Sequence, residues 1–156
     1  IGGFGAGAVP AFLQLSQALR DLAVELVIEY DQTVPAGTVP ALRTFFSQAR
    51  AAGLHLGMTF DMGNWHWTGE CPLDAARLLT GEVAYVHCKG VQRQPQRWVA
   101  VPLADSAAPW RTILRTLPHG LPWAIEYPLQ GDDLLAVTRE QVRLLREVAA
   151  TLGGAP

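Results

Sequence analysis

Much that would assign a function at a glance is missing from this sequence. No apolar run approaches the roughly 20 residues that cross a bilayer, so no membrane span is expected. No charged segment leading into an apolar one marks a signal peptide. The Gly-rich opening, residues 1–10, lacks the G-x-G-x-x-G register of a dinucleotide loop. The 12 Lys and Arg are scattered and the formal net charge is −2, which gives nucleic acid or an anionic membrane no electrostatic handle. Only two cysteines occur, Cys71 and Cys88, with no C-x-x-C. They are read as reduced thiols in a cytoplasmic protein, Cys88 serving as a small hydrophobe towards a helical layer.

What remains is 156 residues, 49% hydrophobic and 17% charged, enough for one domain with a core rich in buried strand. A helix is predicted with Phe12, Leu15, Leu19 and Leu22 on one face. The short apolar run 25–30 reads as a strand buried on both faces. Pro40 suits a helical first turn, with Leu42, Phe45, Phe46 and Ala49 as the apolar stripe and Gly53 as the stop. The pattern repeats: strand 54–60, a Gly/Trp/His loop, a short helix over 73–79, then strand 83–88. A long polar loop runs through Pro102. Trp110, Ile113, Leu114 and Leu117 mark a further helix, followed by strand 122–127. A final helix, capped by Asp132 or Asp133, reaches about Leu152. One helix and four βα units imply an α/β fold with a parallel sheet, either a small doubly wound sheet or part of a (βα)8 barrel.

Four residues stand at or just past the ends of the four predicted strands: Glu29, Asp61, His87 and Glu126. They follow one another at intervals of roughly 30 residues, as one residue per unit of a (βα)8 barrel would, since such a barrel spends about 250 residues on eight units. A carboxylate alone in an apolar segment is costly unless it finds a cation. Each of these residues taken singly fits a structural ion pair with a nearby Lys or Arg. All four at successive strand ends point to one divalent metal ion, with Mn²⁺ or Mg²⁺ favoured by the oxygen-rich set and Zn²⁺, Co²⁺ or Fe²⁺ admissible.

Segments 54–67 (LHLGMTFDMGNWHW), 83–91 (VAYVHCKGV) and 123–129 (WAIEYPL) resemble the xylose isomerase-like TIM barrels, which include sugar phosphate isomerases and epimerases and endonuclease IV. The resemblance covers about 22–152 and implies strands five to eight of the barrel. Four units are half a barrel and would leave open strand edges. With Ile rather than Met at position 1, the sequence is expected to be a fragment, a single domain over 1–156 lacking the N-terminal half. The resemblance also implies the metal ligands, Glu29, Asp61, His87 and Glu126. It implies a metal-dependent sugar or polyol isomerase or epimerase, in which Glu29 and Glu126 exchange protons with the substrate through a metal-stabilised enediolate. A dehydratase or other lyase on the same scaffold is the alternative, and a non-catalytic metal- or sugar-binding half-barrel the third reading.

Asn64 occupies a position where many relatives carry a His. It is a candidate substrate contact or a loop cap. Lys89 shares the strand face of His87 and is a candidate for a substrate oxygen. Arg93 matches a substrate-binding Arg of ketose epimerases. Trp65 and His66 belong to an aromatic loop that could wall a sugar pocket or pack on the rim. The expected partner is a small sugar, sugar phosphate or polyol, with homo-oligomerisation left open. Gly90 stands where an Asp often follows the V-H-x-K motif, and Ala104-Asp105-Ser106 replaces a common Gly-x-Gly. The absence of a multi-His set argues against a DNA repair nuclease, and Pro35 replaces the second glutamate of some ketose epimerases.

Overall fold

A computed structural model describes residues 8–20, 22 and 24–153. Its elements, in chain order, are α1 (Ala8–Leu19), β1 (Val27–Glu29), α2 (Val39–Ala51), β2 (Gly57–Asp61), α3 (Trp65–Thr68), α4 (Pro72–Leu79), β3 (Val83–Cys88), β4 (Gly90–Arg93), β5 (Trp98–Val101), α5 (Trp110–Thr116), β6 (Trp123–Ile125) and α6 (Leu134–Gly153). The strands β1, β2, β3 and β6 form one parallel sheet in that order, and β4 and β5 form a separate antiparallel pair. Within this sheet the strands follow in chain order, with the β4–β5 hairpin inserted between β3 and β6, the progression that a βα repeat produces when every crossover runs the same way.

Alternation along the strands divides the sheet into two faces. Met58, Phe60, Val86 and Cys88 are completely buried and join the core with Leu42, Phe46, Ala76, Leu79 and Ile113 from the helices. Thr59, Asp61, Tyr85 and His87 alternate with them and therefore occupy the opposite face. Helix α1 adds to the helical layer through Phe12, whose ring meets Phe45 edge-on at 5.5 Å. The stripe of α2 is buried as its spacing requires, and the chain leaves this helix through Gly53 at φ 73°, a left-handed value suited to glycine. Asp133 caps α6, its Oδ1 accepting the Ala136 N–H at 2.9 Å.

Several expectations are corrected. Helix α1 stops at Leu19, and Leu22 is exposed rather than on the buried stripe. The run at 25–30 yields only three strand residues, and β1 is an edge strand of the described sheet, half-buried instead of covered on both faces. The loop at 65–68 is a single helical turn. The stretch predicted as a long polar loop before Pro102 contains the β4–β5 hairpin, in which Val91 pairs with Ala100 and Gln92 with Val99 across a tight Gln94–Arg97 turn. Gly90 begins this hairpin for a steric reason. A Cβ there would lie 2.6 Å from both the Val101 and the Pro102 carbonyl oxygens, so the Asp common at that position cannot be accommodated. Among the described residues, no helix is long and apolar enough to cross a membrane.

Candidate metal centre

The four strand-end residues converge at the carboxyl edge of the sheet. Glu29 ends β1, Asp61 ends β2, His87 is the penultimate residue of β3, and Glu126 follows β6 directly. Each offers one ligand atom such that all four lie within 4.8 Å of one another. Residues scattered over almost a hundred positions meet because parallel register brings strand ends together. Asp61 pairs with His87 across β2 and β3, and the Glu126 N–H donates to the Cys88 carbonyl beyond the last residue of β6. His87 Nδ1 lies 3.1 Å from Glu29 Oε1 and 3.3 Å from Glu126 Oε2.

Asp61 is the most constrained of the set. It has no solvent exposure, and its Oδ1 accepts the backbone N–H groups of Gly63 and Asn64 at 2.7 and 2.8 Å. The D-M-G-N turn is therefore wrapped around one carboxylate oxygen, leaving Oδ2 to face the cluster. Burial, followed by the Glu126 carboxyl group beside it, pushes the Asp61 carboxyl up to about 7, against the opposing pull of Lys89. Burial acts in the same direction on Glu126. There the contacts with Asp61, Lys89 and His87 prevail, and its pKa falls below the ordinary carboxylate value. Two carboxylates this close compete to stay ionised, and the better solvated one wins.

The donor set fits a divalent cation. Asp61 Oδ2 and Glu126 Oε2 are both shielded from solvent and neither has a directed hydrogen bond. The Lys89 Nζ approaches them at 2.9 and 2.7 Å, which is ion-pair distance, but off the hydrogen-bonding direction. Three carboxylates, one imidazole and two oxygens with unspent lone pairs are what a hard or borderline divalent ion requires.

The remaining predicted residues divide into two groups. Asn64 and Lys89 reach the cluster: Asn64 Oδ1 accepts from Lys89 Nζ at 3.2 Å and from Gln32 Nε2 at 2.9 Å. Asn64 thus links the β2 and β3 ends with the segment after β1. His66 and Arg93 instead meet around Trp98. The His66 ring lies 4.6 Å from the Trp98 ring, edge-on, and the Arg93 guanidinium stacks at 5.4 Å. Trp65 is corrected outright. It has no exposed surface and packs against Tyr30 at 4.2 Å and Phe60 at 5.4 Å, so it belongs to the core and offers a ligand no wall.

Three contributors escaped sequence reasoning. Tyr30 donates its hydroxyl to the Asp61 carbonyl and is fully buried, with burial first and Asp61 next raising its pKa well above the ordinary value. Gln32 sits three residues after Glu29, the same spacing that separates Asn64 from Asp61, which was the one available signal. Trp98 was hidden because the hairpin was read as loop. Cys88 has the inert role expected of it, its thiol buried and pushed up to about 12 by desolvation, with Asp61 adding to the effect.

Comparison with solved structures gives the architecture its setting. A xylose isomerase domain protein from Alicyclobacillus acidocaldarius superposes with a TM-score of 0.69 at 23% identity, over 94% of this chain and 60% of that one. The fold is that of a xylose isomerase-like TIM barrel. A xylose isomerase-like barrel protein from Mycobacterium smegmatis, in complex with magnesium, gives 0.64 at 16% identity over 94% and 51%. The IOLI protein, solved with a zinc atom, gives 0.68 at 12% identity over 95% and 57%. The chain thus spans little more than half the length of these barrels, and its four-stranded parallel sheet forms a half-barrel. No family profile and no curated protein matches the sequence.

Proposed function

We propose that Glu29, Asp61, His87 and Glu126 hold one divalent metal ion, and that the protein containing this half-barrel is a sugar or polyol isomerase or epimerase. The observation that carries the reading is the convergence of four ligand atoms within 4.8 Å on successive strand ends of the sheet, with Asp61 and Glu126 each also having one solvent-shielded oxygen without a directed partner. The magnesium and zinc bound by two structural neighbours support a divalent ion without selecting one, and the carboxylate-rich set favours Mn²⁺ or Mg²⁺.

When bound, the ion would polarise a substrate carbonyl and favour negative charge on its oxygen. The side chains then differ in what they can do. Asp61, wholly buried and tied to two backbone N–H groups, positions but cannot reach a substrate. The Glu29 and Glu126 side chains retain 40% and 41% exposure, and both touch His87 Nδ1 from different strands. These are the two carboxylates able to take a proton from a substrate carbon and return it. Asn64 and Lys89 offer an amide and an ammonium to substrate oxygens at the cluster's edge. His66 and Arg93, gathered by Trp98, would face a more distal part of a sugar chain.

The test is a panel of keto-sugars and polyols incubated in D₂O with Mn²⁺ or Mg²⁺, using the full protein that carries this half-barrel. Isomer formation with deuterium on the carbon next to the carbonyl is expected. Loss of water from the substrate would assign the lyase alternative. Unchanged substrates throughout would leave a metal- or sugar-binding role in place of catalysis.

A further inference from the structure

Resting on the metal reading, one buried side chain has a second consequence. Lys89 is packed into the centre from behind. A Cβ on Gly63 would lie 2.9 Å from Lys89 Cδ and 3.0 Å from Cγ, so glycine at 63 is what admits the lysine stem beneath the Asp61–Asn64 turn. The side chain is only 10% exposed, and its ammonium ends between Asp61 Oδ2 at 2.9 Å and Glu126 Oε2 at 2.7 Å, steadied by Asn64 Oδ1. Packing rather than chance surface pairing therefore directs this charge at two of the four metal ligands.

We propose that Lys89 is a resident cation of the metal centre, holding the Asp61 and Glu126 carboxylates together without metal and weakening metal binding by competing for them. Three carboxyl groups gather here, and the ammonium offsets part of the negative charge that would draw a divalent ion into the cage. An ion held by Asp61 and Glu126 must either displace Lys89 from these carboxylates or sit beside a like charge in a poorly solvated place, and both oppose binding. The lysine keeps the empty centre assembled and the ion exchangeable.

Mn²⁺ alone is the probe, read by calorimetric titration and by melting with and without the ion. Lys89→Met, close in shape and uncharged, is expected to bind Mn²⁺ at least tenfold more tightly than wild type. Its melting temperature should be lower without metal and rise further on adding it. Lys89→Arg keeps the charge and should bind no more tightly than wild type. Lys89→Gln, which retains a polar tip for Asn64, should follow Met and serves if Met proves too unstable for titration. Wild-type binding accompanied by equal or weaker binding in both neutral variants would overturn the competition while leaving the metal site standing. No Mn²⁺ binding by wild type would remove the site itself, and this inference with it.

Discussion

Glu126→Gln should lower the proposed isomerase or epimerase turnover by at least about 100-fold on any sugar that the test panel shows to react, because a positioned carboxylate typically contributes 10²–10⁴-fold to proton transfer. The substitution keeps the side chain's size and leaves an oxygen near His87, but removes both the charge and the basic site. It should also weaken metal binding, since one of the two shielded oxygens without a directed partner belongs to this carboxylate. Stability should change little by comparison, because the side chain is 41% exposed and makes no backbone hydrogen bond that holds the fold. Steady-state rates, metal titration and a melting curve on the same preparation separate the three effects. Normal rates with intact metal affinity would take Glu126 out of the centre.

Asp61→Ala should act on stability instead. The Asp61 carboxylate accepts two backbone N–H groups and pairs with the Lys89 ammonium, and all three are away from solvent. Removing the acceptor leaves the buried Gly63 and Asn64 N–H groups unpaired and Lys89 with Glu126 alone, a loss of about 3–5 kcal/mol at about 1–3 kcal/mol for each group deprived of its partner. For a domain of this size that corresponds to a melting temperature lower by roughly 10 °C. Asp61→Asn retains an acceptor for Gly63 and Asn64, so it should melt nearer wild type while still losing metal affinity. Equal melting of all three proteins would show that the D-M-G-N turn does not depend on this side chain.

The sequence was informative where a residue's surroundings follow from local pattern. Strand β3 was legible to the residue because Val86 and Cys88 face a helical layer and the run 83–88 is apolar except for His87. Helix α2 was legible because its stripe of Leu42, Phe45, Phe46 and Ala49 has a single periodicity. The metal candidates were legible because a βα repeat converts even spacing into spatial convergence. The hairpin β4–β5 was not, since its pairing depends on a close approach at Gly90 that only the fold reveals. Trp65 was misjudged for a related reason. An aromatic next to a site motif suggests a ligand wall, whereas stacking on Tyr30 and Phe60 is a long-range contact that no local pattern announces. The Lys89 contacts were half visible: strand alternation put its side chain beside His87, but its reach to Asp61 depends on the space left by Gly63.

The ion-pair and metal readings of the four residues are not exclusive here. Lys89 supplies the cation that the ion-pair reading requires for Asp61 and Glu126, yet it satisfies neither oxygen with a directed bond and leaves Glu29 unserved. Lys89 therefore serves two of the three carboxylates in the cluster, and the proposed metal reading accounts for the donor atoms it leaves.

The most direct test is the divalent metal content of protein purified without chelator, measured by elemental analysis alongside Asp61→Asn and Glu126→Gln. About one divalent ion per chain is expected for wild type, with a clear loss in both variants and a lower melting temperature after chelation. Wild-type protein that is folded, free of metal and indifferent to added Mn²⁺, Mg²⁺ or Zn²⁺ would contradict the assignment of this cluster as a metal centre.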